Sequence, residues 1–249
     1  MSGFSEIFWP QQSGLPLLVL LQLLPLFGAA LVFVFQERAS AVVAGKVFAL
    51  GELLLAIVAN GRIDPLHPAL QLAERFAPLA YHVAVDGLSL IFLLVTALLT
   101  LLLMLYGMSR GMISPGRLYA VLLIAEAGLV GMLLTLNVAW FAFYSALELW
   151  AVVYLLRRWA SSRAEIHALS RFIQYQSFGW LLFAAGCLVL GWGHAEATGG
   201  RWSFDLFDLV GTVPVGKFQT AAFYLLFYGL AVRTPLFPLH GWLPNMAQH

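Results

Sequence analysis

Charge is scarce in this sequence. Its 249 residues hold 13 basic and 12 acidic side chains, 10% of the total, where an ordinary soluble domain carries roughly 25%. The net charge of +1 leaves no basic field for nucleic acid. Cysteine is scarcer still. Cys187 is the one thiol, so an internal disulfide and a cysteine-held metal cluster are both excluded. Its apolar setting reads as buried and inert. No CxxC, Walker or GxGxxG pattern occurs, and the expectation is no iron–sulfur cluster, no nucleotide and no cofactor. The N-terminus has neither the basic n-region nor an obvious small-residue cleavage site of a signal peptide.

What fills the sequence is apolar. Hydrophobic residues make up 61%, and the mean hydropathy is +0.88. The chain therefore reads as an all-α polytopic membrane protein, since a lipid-spanning helix needs about 20 apolar residues. After a short polar lead (1–13), spans are expected at 15–35, mildly broken by Pro16 and Pro25, and at 39–59. A loop with Pro65, Pro68 and Pro78 covers 60–81. Further spans follow at 83–106, opened by Tyr81-His82 and Asp86-Gly87, then at 118–136, 138–156 and 168–192. A basic loop, 157–167, separates the last two, and a loop at 193–215 precedes a seventh span beginning at 217–233. Asn137 makes a tight turn, and Asp86 reads as the N-cap of the third span.

Arg38, Arg110, Arg117, Arg157, Arg158 and Arg163 fall in the loops after spans one, three and five. Arg62, Arg75, Arg201 and Lys217 are spread over the longer loops of the other side. The positive-inside rule then places the N-terminus on the non-cytoplasmic side of the plasma membrane.

Of the ionisable residues in these spans, Glu52, Glu126, Glu148 and Arg233 cost most to bury. Each costs roughly 2.5–3.5 kcal/mol to place at a helix centre. Such residues either pair within the bundle or serve an ion or proton route. A carboxyl facing a base changes charge as its partner moves, which is what a proton relay requires. Glu52 and Glu126 also read as structural contacts to a neighbouring helix. Glu148, nine residues before Arg157, also reads as the partner of a loop arginine. The seventh span runs into Pro235, Pro238 and Pro244, which remove backbone donors and break the helix. Arg233 and His240 sit at that break. Broken helices at membrane depth are tolerated where they line a protein interior or a wet cavity.

The stretch Ala231 to Pro244 (A-V-R-T-P-L-F-P-L-H-G-W-L-P) resembles the A-x-K-x-P-x-x-P-x-H-x-W-L-P motif of the antiporter-like subunits of respiratory complex I, most closely the M-type (chain 4). Tyr81-His82 with Val85-Asp86-Gly87-Leu88-Ser89 is similar to that family's third-helix opening. Glu126-Ala127-Gly128 with Gly131 resembles its fourth helix, Leu169 to Gly179 its sixth, and Phe204-Asp205-Leu206 a further family motif. The resemblance runs from about Leu15 to the end. It implies a proton-translocating membrane-arm subunit without a redox cofactor, partnered by other membrane-arm subunits in the lipid bilayer. It implies about fourteen helices in two inverted repeats, so that 1–113 is an N-terminal three-helix segment and 114–249 an incomplete first repeat. The expectation is a fragment, or a split subunit whose second half is another chain.

The resemblance further implies a fifth-helix Glu paired with a seventh-helix Lys. The Lys position is Arg233, a cation that keeps its proton, and the sixth-helix Lys position is Arg171. An ungapped count places the Glu position on Ala146. Glu148 is then about 200° round the helix, turned away from that partner. The candidate functional residues are Glu126, Glu148, Arg233, His240 and Arg171. The same motifs fit a cation/proton antiporter, a hydrogenase-linked complex, a bicarbonate-uptake system, or a membrane scaffold with a static Arg233 ion pair.

Overall fold

The computed structural model describes residues 15–67, 69–76, 80–109, 115–160, 162–212 and 216–247. Expectations for the polar lead, Pro68, Pro78, Arg110 and the side chain of Lys217 lie outside the described residues. The chain is a helical, multi-pass membrane protein. It divides into two compact units, Met1–Leu136 and Asn137–His249.

The first unit is a four-helix bundle with a β-hairpin. Its helices are α1 (Leu17–Val34), α2 (Ala39–Asn60), α3 (Gly87–Ser109) and α4 (Pro115–Leu134). Pro16 stands at the N-cap of α1, where its missing N–H is no loss. Pro25 does not break α1, which runs through it. The bundle core gathers Ala29, Val32, Ala41, Ala49, Met104, Tyr119, Ala120 and Leu123. Tyr119 resolves its buried hydroxyl by donating to the Met104 carbonyl. Leu98, Leu99, Leu102, Leu103 and Leu105 of α3 remain exposed, as a lipid-facing side requires.

The 60–81 stretch is not only loop. It contains β1 (Gln71–Phe76), which pairs antiparallel with β2 (Tyr81–Val85). A bulge between Gln71 and Glu74 puts Leu72 at φ 53, in the left-handed region. The third span therefore begins at Gly87, not at 83. The residues Tyr81, Val83 and Val85 suit a buried strand, and all five residues of β2 are buried. Asp86 then caps α3, accepting from the Ser89 amide at 2.7 Å. The hairpin also closes α1 from a distance. Pro16 offers that helix no side-chain cap. The Glu74 carboxylate instead accepts from the amides of Leu18 at 2.8 Å and Val19 at 3.0 Å.

The second unit holds α5 (Val138–Trp159), α6 (Arg163–Ala197), α7 (Leu206–Gly211), α8 (Gly216–Arg233) and α9 (Leu243–Ala247). Asn137 caps α5 through the amides of Ala139 and Trp140. The expected basic loop 157–167 is much shorter. Helix α5 runs on to Trp159, and a capping box of Ser162 and Glu165 opens α6 at Arg163. Helix α6 continues for 35 residues and ends at Gly199 and Gly200, at φ 72 and 97. There the Gly200 amide reaches back to the Ala195 carbonyl at 2.7 Å.

Helices α6 and α8 form a close pair, and glycine permits it. A Cβ on Gly229 would lie 2.6 Å from the Phe183 backbone nitrogen and 2.9 Å from the Gly179 carbonyl oxygen. In lipid, such backbone approach replaces the hydrophobic drive that water gives soluble helices. Among the described residues, six helices, α1 to α6, are long and apolar enough to cross a membrane. Helix α8, at 18 residues, stands where the seventh span is expected and carries the proline break at its end, but it is not among those six.

Candidate functional site

Helix α8 ends at Arg233 for a local backbone reason. Pro235 has no N–H to give the Ala231 carbonyl, so the Leu236 amide takes that acceptor at 3.0 Å. The Thr234 amide and hydroxyl both turn back to the Leu230 carbonyl, each at 2.8 Å. The Val232 carbonyl would be left open. The Trp242 indole N–H donates to it at 3.0 Å. Trp242 is itself 9% exposed and packs with Phe172 and Leu169 of α6. Ten residues beyond Val232, the chain is thus pinned back onto the helix it left. The Phe237–Pro238 peptide within this turn is cis.

This geometry holds Arg233 in place as the last residue of α8. Its guanidinium Nη2 lies 3.2 Å from Glu148 Oε2, in an ion pair whose side chains are 17% and 20% exposed. Nη1 donates to the Ser145 hydroxyl. Ser145 and Glu148 are three residues apart on α5, hence on one face. The planar guanidinium uses two arms on two α5 side chains. Ser145 is fully buried, so an unpaired hydroxyl there would be costly.

The pairing corrects two expectations. Glu148 is not turned away from the base at 233, and it does not serve a loop arginine such as Arg157. Helix phase counted from Ala146 did not foresee this contact. A long guanidinium reaches a carboxylate from a range of helical phases, and here it reaches Glu148. Ser145 escaped the sequence reading. Its signal was the i, i+3 spacing to Glu148, meaningful only once Glu148 was known to face a partner.

The other candidates are not part of this pair. Arg171 is exposed on α6. The His240 ring stands against Phe237, with centroids 5.6 Å apart. Its buried Nδ1 has no hydrogen-bond partner among the described residues. Glu126 belongs to the first unit, on α4, and is 1% exposed. Glu52, on α2, is fully buried there too. Neither carboxyl of that unit has a hydrogen-bond partner among the described residues. Cys187 is buried and free. No group of three metal-ligating side chains gathers among the described residues.

Comparison with known proteins places the chain. Residues 135–249 match the family model described as NADH:quinone oxidoreductase/Mrp antiporter, TM. The chain is 26% identical over 239 residues to the F(420)H(2) dehydrogenase subunit M of Methanosarcina mazei, covering 93% of this chain and 48% of that protein. Among solved structures it resembles a chain of respiratory complex I from Thermus thermophilus with bound NADH, with a TM-score of 0.74 and 25% identity, covering 93% of this chain and 47% of the other. It also shares the fold of a chain of the membrane-bound sulfane sulfur reductase, an archaeal respiratory membrane complex, with a TM-score of 0.79 and 20% identity, covering 93% and 47%. The chain spans about half the length of the curated relatives it matches. In sequence over its second half, and in fold over most of its length, the chain resembles antiporter-like membrane subunits.

Proposed function

We propose that this antiporter-like subunit translocates protons in the membrane arm of a quinone-reductase-type complex, with Glu148 and Arg233 as its central charge pair. One observation carries the reading. A carboxylate and a permanent cation meet at 3.2 Å where a helix breaks, and they are only partly exposed. A carboxyl so placed exchanges a proton when its counter-charge shifts, and the proline break gives Arg233 a place to shift from. Arg233 biases the carboxyl and does not itself carry the proton. Glu126 is the second candidate proton carrier. The chain itself performs no redox chemistry in this reading.

The reading has further parts. The chain lies in the plasma membrane with its N-terminus on the non-cytoplasmic side. Residues 1–113 form a preliminary segment and 114–249 the first part of an antiporter-like repeat. Other membrane-arm subunits surround it. A region equivalent to the second half of the relatives completes the route, either in continuing sequence or in a separate chain.

The test is proton uptake by membrane vesicles containing the assembled complex. Glu148→Gln is expected to abolish or strongly reduce uptake while leaving assembly intact, and Glu126→Gln to reduce it. An unchanged pH dependence of transport in both variants refutes the proposal. A second reading, a membrane scaffold with a static ion pair, is favoured by arginine replacing a titratable lysine. Proton-coupled activity that survives Arg233→Ala supports the scaffold. The motif also accommodates cation/proton antiport, which a sodium-dependent flux would reveal.

A further inference from the structure

We propose that Glu52 and Glu126 face each other in the first unit as a carboxyl pair that binds a proton between them, a second protonatable site separate from the Glu148–Arg233 pair. The register of α2 and α4 brings them together. These helices run in the same direction, and Gly45 of α2 is in contact with the Tyr119 ring, which a Cβ on that glycine would approach to 2.8 Å. Glu52 is seven residues beyond Gly45, and Glu126 seven beyond Tyr119. Seven residues are about two turns, so each carboxyl returns to the face its helix turns to the other. The two carboxyls interact electrostatically across that contact.

Among the described residues, no counter-charge faces the pair. Glu52 is 0% exposed and Glu126 is 1% exposed, and none of their four oxygens has a hydrogen-bond partner among the described residues. Of the elements packed on α2 and α4, α1 has no titratable side chain and α3 only Tyr106. Strand β2 offers Tyr81 and His82, and β2 meets α4 at its far end, through Val83 and Thr135. Lys46 on α2 is six residues from Glu52, on another face. Arg117 on α4 donates to Gln36 Oε1 at 2.9 Å, and the Tyr119 hydroxyl is committed to Met104. Thr100 of α3 lies beside Glu126. Its hydroxyl donates to the Thr96 carbonyl at 3.0 Å.

Two carboxylates cannot both be charged in such a place. The arrangement resolves itself when a proton bridges the two carboxyls, one donating and the other accepting. The pair then holds and releases protons in two coupled steps. This holds whether or not the Glu148–Arg233 pair moves protons.

The probe is dicyclohexylcarbodiimide, applied to the full chain in lipid nanodiscs. A protonated carboxyl adds across the carbodiimide and rearranges to a stable N-acylurea, which peptide mass spectrometry locates. Labelling is expected on Glu52 or Glu126 and not on the ion-paired Glu148. As pH rises it should fall in two separated steps. In Glu52→Gln, the remaining labelling on Glu126 should collapse to a single step, and Glu126→Gln should do the same to Glu52. Both variants should fold, since glutamine copies a neutral carboxyl. Absence of labelling on both residues, a single step in the unmodified chain, or failure of both glutamine variants to fold overturns the proposal. Protection by sodium at constant pH also overturns it, because the occupant is then a metal cation.

Discussion

Removing Arg233 alone should destabilise the second unit more than removing the whole ion pair. At the observed 3.2 Å, the Coulomb attraction is about 5 kcal/mol at an effective dielectric of 20. Taking both groups out of water offsets most of that, because each side chain is only about one-fifth exposed. The net contribution of the intact pair is therefore small, about 1 kcal/mol, between the values of surface and buried bridges. Arg233→Leu keeps the burial cost of Glu148 and the unpaired hydroxyl of Ser145 but loses the attraction. That variant should lose about 3 kcal/mol. Glu148→Leu added to it removes the orphaned carboxyl, so the double variant should regain about 2 kcal/mol relative to Arg233→Leu. The assay is a double-mutant cycle by reversible unfolding in mixed micelles, with proton uptake by vesicles as a parallel readout. Arg233→Lys should retain the Glu148 contact but not both contacts together, and so fall between the two. Strict additivity of the single losses, or a double variant weaker than Arg233→Leu, refutes the reasoning.

Gly229→Ala puts a Cβ against backbone atoms of α6 that cannot rotate away. It should cost about 1–3 kcal/mol, while Gly211→Ala, with nothing within 4 Å, should be neutral in the same unfolding assay. Trp242→Phe keeps the packing on Phe172 but leaves the Val232 carbonyl without its donor. A loss of about 1–3 kcal/mol is expected, with faster proteolysis after Arg233. Glu74→Ala should cost about 1 kcal/mol by uncapping α1. Burial raises the Glu74 carboxyl above its usual 4.5, against the lowering pull of the Leu18, Val19 and Leu17 amides. A carboxyl raised in the folded state is protonated there while the unfolded chain has already released its proton. Its contribution to stability therefore falls as pH rises from about 4.5 through the raised value, and is flat above it. Stability measured against pH should show that decline in the unmodified chain and lose it in Glu74→Gln. A slope of the opposite sign counts against the burial argument.

Much of the architecture was legible because lipid imposes a strong rule. A span must be long, apolar and helical, so the first, second, fourth and fifth spans stand within a few residues of where hydropathy puts them. Asp86 and Asn137 announced their caps through side chains that compete for backbone amides. The hairpin was less legible. Its strands are short and set among prolines, and β2 runs directly into the apolar third span, so hydropathy merged Tyr81 to Val85 with the helix. The extent of α6 was likewise hidden, because the signal for its start is a capping box buried in what reads as a basic loop.

The sequence by itself determined the class of this protein, its spans, its proline break and the identity of its costly buried charges. Those follow from the price of polar groups in hydrocarbon, which composition and periodicity express directly. Only the tertiary structure decided which charge meets which. Glu148 meets Arg233 and Ser145 because α5 and the end of α8 are brought side by side, and that depends on helix phase. Glu52 and Glu126 are neighbours because α2 and α4 share a register fixed by Gly45 and Tyr119. Helix phase and register are set by side-chain packing between elements distant in sequence, and no local pattern encodes them.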